Sequence, residues 1–143
     1  MLLALEVKAS GAFDHEEAAV ANKLLIMMTS GPESPHRLGT PFFQAMAAAA
    51  LDYEVLIVST MDATLLLKKG VAETLTVKEG AQKTVLDFIR ESKAAGVGLY
   101  VCPASLSLHD LTMEDLIPEV DAAMGAARYS EVGLEDDCRV FCY

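Results

Sequence analysis

The stretch Lys23-Leu-Leu-Ile-Met-Met-Thr29 is an unbroken apolar run closed by the turn-forming segment Ser30-Gly-Pro-Glu-Ser-Pro35. A strand with one wet face alternates apolar and polar residues, whereas a run that is apolar throughout needs cover on both faces, as in a parallel sheet. Tyr53-Glu-Val-Leu-Ile-Val-Ser59 and Val97-Gly-Leu-Tyr-Val-Cys102 repeat that signature. Working outward, a helix is predicted from about Pro41 to Leu51, with proline at its first position, where no backbone donor is missed. Asp62 to Lys69 reads as a short helix capped by Asp62 and stopped by Gly70. Ala81 to Ala95 reads as a longer one, with Ala81, Val85, Phe88, Ile89 and Ser92 on one face and Gly96 at its end.

A loop is expected from Cys102 to Leu111, then a helical turn opened by Thr112 with acids behind it. Val120 to Met124 is a weak strand candidate, Gly125 to Val132 a short helix and Cys138 to Tyr143 a terminal strand. Strands alternating with helices predict an α/β three-layer sandwich. Its central sheet is expected to be mostly parallel with helices on both faces, a flavodoxin-like arrangement. Residues 1–22, with a possible edge strand at Leu2 to Val7, read as an N-terminal extension, and 23–143 as one domain. A length of 143 residues fits one such domain and leaves no room for two.

With 21 acidic against 11 basic residues the formal charge is −10, which repels phosphate backbones and makes nucleic acid and anionic membranes poor partners. The apolar run Ala45 to Leu51 is too short to span a bilayer, and Met1 to Glu6 has no basic start of the signal-peptide kind. The expected location is therefore the cytoplasm, where Cys102, Cys138 and Cys142 would be kept as thiols. A hydrophobic fraction of 52% is high for a lone soluble domain and points to apolar surface covered by other subunits.

Parallel α/β sheets gather their chemistry at the carboxyl ends of the strands. Three loops are predicted there: Ser30 to Gly39, Thr60 to Met61, and Cys102 to Leu111. Cys102 closes the third strand, and Pro103 turns the chain away from it. Ser105, Ser107 and His109 follow on the same loop, and His36 lies on a neighbouring one. Backbone amides, a hydroxyl, a helix N-terminus or an imidazolium beside Cys102 would favour its thiolate. A buried structural cysteine fits the same pattern, and both readings stay open on residues alone. Cys138 and Cys142 are secondary thiols. Four residues apart on a strand they would be separated by about 13 Å, beyond disulfide reach. No second close pair of ligands completes a metal site, so no metal is expected. The Thr29-Ser-Gly-Pro-Glu-Ser34 loop has the placement of a phosphate cradle but carries neither a G-x-G-x-x-G nor a P-loop pattern, so nucleotide or flavin binding is a lesser alternative and no cofactor is expected.

Several segments in order resemble the DsrE/DsrF-like family, which includes the TusD-type sulfur-relay proteins. They are Thr29-Ser-Gly-Pro-Glu-Ser34, Pro41-Phe-Phe-Gln-Ala-Met-Ala-Ala-Ala49, Tyr53-Glu-Val-Leu-Ile-Val58, Leu65-Leu-Leu-Lys-Lys-Gly-Val71, Gly96-Val-Gly-Leu-Tyr-Val-Cys-Pro-Ala-Ser105 and Glu114-Asp-Leu-Ile-Pro-Glu-Val120. The resemblance covers about Lys23 to Tyr143. It implies a doubly wound sandwich, assembly into trimers or hexamers, and passage of sulfane sulfur between cytoplasmic donor and acceptor proteins. It also implies that Cys102 carries the sulfur as a persulfide. The tail cysteines and residues 1–22 lie outside what the resemblance assigns. A non-catalytic binding or assembly module of the same fold is the competing reading.

Overall fold

A computed structural model describes residues 20–143. Among the described residues there are five strands: β1 (Lys23–Met28), β2 (Glu54–Ser59), β3 (Gly98–Val101), β4 (Ala122–Ala123) and β5 (Cys138–Cys142). They form one sheet in the order β4-β3-β2-β1-β5, and every pairing is parallel. The α-helices are α1 (Gly39–Ala50), α2 (Val85–Ala94), α3 (Pro103–Leu108) and α4 (Ala126–Gly133), supplemented by short 3-10 turns. The α/β sandwich with a parallel central sheet is thus present, and the weak strand at β4 and the terminal strand at β5 are both in place. The extension read over 1–22 and its edge strand at Leu2 to Val7 lie outside the described residues, apart from Val20, Ala21 and Asn22. Among the described residues no helix is long and apolar enough to cross a membrane.

Connection handedness explains the layers. From β1 to β4 the chain steps one strand at a time in one direction, and right-handed crossovers then all fall on one face. α1 and α2 pack together there, with Phe43 and Phe88 meeting edge to face at 5.0 Å. The main core lies beneath them, around Leu24, Ile26, Phe42, Ile57, Val85, Ile89, Leu99 and Val101. The step from β4 back to β5 runs the opposite way and places α4 on the other face, over a small cluster of Leu25, Val58, Met124, Val132 and Cys138. That second face is thinly covered: Leu56 and Tyr100 are half-buried and Val140 is exposed.

Helix boundaries shift where local hydrogen bonding overrides the apolar pattern. α1 begins at Gly39, because the Pro35–Arg37 turn runs directly into it through the Leu38 amide and the Pro35 carbonyl. Pro41 is then its third residue, still within the turn that lacks intrahelical acceptors. α2 starts at Val85 rather than Ala81 because Thr84 and Asp87 form a reciprocal capping box. It ends in a Schellman motif: Val97 N–H reaches the Ser92 carbonyl, and Gly96, at φ 90°, bonds Lys93. The expected helix at Asp62 to Lys69 is a 3-10 segment, Met61–Leu67, entered from Thr60 without a side-chain cap. Asp62 does not cap it. The largest difference is at Cys102 to Leu111, where the expected loop is mostly α3. Proline is well suited to a first helical turn, so Pro103 opens a helix as well as ending a strand.

Candidate functional site

Cys102 extends β3 by one hydrogen bond, its amide donating to the Ser59 carbonyl at 2.9 Å. It is also the N-cap of α3, and its own carbonyl accepts from the Ser105 and Leu106 amides at 3.1 Å. In-register pairing of β2 and β3 sets Thr60 beside Cys102. The cysteine therefore lies where a strand end, a helix start and the neighbouring strand's loop converge.

Ser105 organises this junction. Buried to 4% exposure, its Oγ accepts the Met61 amide at 2.8 Å and lies 3.0 Å from Thr60 Oγ1. Engagement with Ser105 also explains why the Thr60 hydroxyl does not cap the following 3-10 turn. Met61 has φ 50°, a left-handed conformation that few non-glycine residues adopt. One turn further along α3, His109 Nε2 is 3.0 Å from the Met61 carbonyl. A carbonyl only accepts, so Nε2 carries the proton. The Asp62 carboxylate is 3.5 Å from the same nitrogen.

Cys102 is partly exposed. Burial raises the pKa of its thiol, but the Ser105 amide and hydroxyl, the Ala104 amide and the Thr60 hydroxyl outweigh that effect and leave it below its ordinary value. The sulfur closes no capping bond of regular geometry, so these donors act chiefly by favouring the charged form. The N-terminal turn of α3 adds its dipole in the same sense. A half-exposed thiol surrounded by donors is suited to nucleophilic attack on sulfur.

Of the residues singled out from sequence, the structure groups Cys102 and Ser105 directly. His109 reaches the same cluster only through Met61, since it lies at the far end of α3, about 10 Å along the helix from Cys102. Ser107 turns away and its hydroxyl is 3.4 Å from the Pro103 carbonyl. His36 is exposed on the turn after β1 and takes no part in the bonds described above. Cys138 is buried and its thiol is raised by that burial, while Cys142 is exposed. Both lie on β5, three strand spacings from β3, or about 14 Å from it. Thr60 and Met61 belong to a loop expected at this rim, but their part in the cluster follows only from the adjacency of β2 and β3.

The loop after β1 is closed upon itself. The Gly31 amide, which in a phosphate cradle would face the ligand, donates to Glu33 Oε1 at 3.1 Å. A carboxylate occupying that donor disfavours a second anion there.

Comparison with known proteins agrees with this architecture. The YchN protein from E. coli superposes with a TM-score of 0.69 at 16% identity, covering 85% of this chain and 99% of that one. MTH1491 from Methanobacterium thermoautotrophicum, described as a protein of unknown function, gives a TM-score of 0.60 at 12% identity, covering 85% of this chain and 97% of its own. At those identities the likeness is one of fold. No curated protein sequence matches significantly. The DsrE/DsrF-like family model matches residues 22–137, from the lead into β1 to the turn before β5, and the chain belongs to that family.

Proposed function

We propose that this chain is a cytoplasmic sulfur carrier that accepts sulfane sulfur on Cys102 and relays it to a partner thiol. The observation that carries the reading is the partly exposed Cys102 thiol at the junction of β3 and α3, held below its ordinary pKa by donors from Ser105, Ala104 and Thr60. The general association of the family with sulfur relay supports it.

The chemistry is two exchanges at sulfur. The Cys102 thiolate attacks the outer sulfur of a donor persulfide; a new S–S bond forms, the donor's S–S bond breaks, and the donor leaves as a thiolate. Cys102 then holds the terminal sulfur as a persulfide. An acceptor thiolate attacks that sulfur, takes it away and restores the Cys102 thiolate. Charge, protons and oxidation level balance across each step, so no external oxidant is required. The donors around Cys102 make it both a ready nucleophile and a good leaving group.

Self-assembly belongs to the same reading. Half-buried Leu56 and Tyr100, with exposed Val140, leave apolar area on the α4 face for further copies of the chain. That observation also favours the second reading, an assembly module without sulfur transfer. Loading the Cys138→Ser/Cys142→Ser protein with a polysulfide and measuring intact mass separates the two. The carrier reading expects one added sulfur, lost in Cys102→Ser and discharged by an acceptor thiol. An unmodified Cys102 sinks it.

A further inference from the structure

The geometry points to His109 as a positioning residue for the Cys102 thiolate, acting through the Met61 backbone and the Ser105 hydroxyl. It rests on Cys102 being the reactive thiol of the site and gives the histidine, which does not touch the sulfur, a defined part in its reactivity.

Ser105 and His109 are four residues apart, and thus on one face of the helical segment that follows Cys102. Between them they grip both backbone polar groups of Met61. Ser105 Oγ takes the amide at 2.8 Å, and His109 Nε2–H donates to the carbonyl at 3.0 Å. Met61 has φ 50°, a conformation that an L-residue with a side chain keeps only when its surroundings impose it. Ser105 on α3 and His109 at its C-cap supply that constraint.

The constraint matters for the direction of the Ser105 hydroxyl. With one lone pair of Oγ taken by the Met61 amide, its proton is left to point toward Thr60 Oγ1 or toward the Cys102 sulfur, on which the Ser105 and Thr60 hydroxyls both act. Donation by Thr60 to Ser105 Oγ frees the serine proton for the sulfur; donation in the other sense frees the threonine proton. Either arrangement delivers one hydroxyl proton to a thiolate, provided the Met61 amide stays in place. Without the histidine, Met61 loses the bond that anchors its carbonyl and can relax to negative φ. Its amide then swings off Ser105, and the hydroxyl is no longer held as a donor to sulfur. The titratable groups facing this assembly are His109 itself at the C-cap of α3, Asp62 at 3.5 Å from the turn after β2, and Glu33 behind Gly31 in the loop after β1.

The test follows alkylation of Cys102 by iodoacetamide against pH in the Cys138→Ser/Cys142→Ser background. His109→Ala and His109→Leu are expected to slow the reaction at neutral pH by about threefold to tenfold and to move its midpoint upward, as loss of a modest hydrogen-bond contribution requires. His109→Gln, whose amide N–H can replace Nε2–H, restores most of the rate. The leucine variant fills the imidazole's volume, so the comparison survives if the alanine variant fails to fold. An unchanged profile in folded His109→Leu, or equal loss in the glutamine and leucine variants, overturns the proposal. Alkylation reads the thiolate without any sulfur donor. A Cys102 that takes no persulfide would thus overturn the carrier reading while leaving this test intact.

Discussion

Gly31 is pressed against Asp62: a Cβ at position 31 would stand 2.3 Å from the Asp62 carbonyl oxygen and 2.6 Å from its carbon. The obstacle is backbone, which cannot rotate aside as a side chain can. This contact joins the loop after β1 to the turn after β2, whose other side is gripped by α3. The Ala63 amide reinforces it by bonding the Thr29 carbonyl at 3.2 Å.

Replacing Gly31 with alanine should therefore act at a distance. Forced overpacking of this kind costs about 1–3 kcal/mol. Urea unfolding of Gly31→Ala is expected to show a lower midpoint. The variant should also react more slowly at Cys102, since the displaced turn carries Thr60 and Met61. A variant as stable and as reactive as the parent would show that the contact relaxes without consequence.

Ser105→Ala tests the centre of the site. It leaves the part-buried Met61 amide without its acceptor, at a cost of about 1 kcal/mol, the low end for a lost partner because water can reach the donor. It also removes one hydroxyl that holds the Cys102 thiol below its ordinary pKa. The sign for pH follows directly. The folded thiol is the stronger acid, so the native state gives up this proton at lower pH than the unfolded chain. The stability gained is complete above the unfolded thiol's pKa and is lost as pH falls through the folded one. Ser105→Ala should raise the alkylation midpoint and flatten the stability gain over the alkaline side of neutrality. A midpoint that stays put assigns the thiol's acidity to the amides of α3 alone.

Much of this fold is legible in residues because its central strands are apolar on both faces, buried under α1 and α2 on one and partly covered by α4 on the other. Lys23 to Met28, Glu54 to Ser59 and Gly98 to Val101 are dense apolar runs, and that density is what a parallel sheet requires. The site was legible only in part. Cys102 declares itself by ending a strand, but α3 was hidden because a six-residue helix gives periodicity too few repeats to register, and its serines favour turns as readily as helices. Once α3 is known, the spacing of Cys102, Ser105 and His109 becomes meaningful: N-cap, third helical residue and one turn beyond. Thr60 and Met61 had no local signal. Their role depends on which strand pairs with which, a long-range fact that a loop of two residues does not encode.

The placement of the tail cysteines yields the last prediction. Cys138 and Cys142 occupy one strand and pair across to Lys23 and Met27 of β1. Four residues of extended chain separate their Cα atoms by about 13 Å, while a disulfide needs them within about 7 Å. Cys102 is three strands away from either. No two of the three thiols can join within one folded chain, so under the proposed carrier reading a sulfur on Cys102 would have no internal thiol to pass to and would leave to another molecule. Mild oxidation of dilute native protein, followed by unfolding and alkylation, should thus find three free thiols per chain, and non-reducing gels should show no intramolecular disulfide. Intermolecular bridges through exposed Cys142 should grow with protein concentration and vanish in Cys142→Ser. An intramolecular bridge from Cys102 to Cys138 or Cys142 in folded protein would contradict the strand order, and with it the expectation that a carrier of this fold passes sulfur only between molecules.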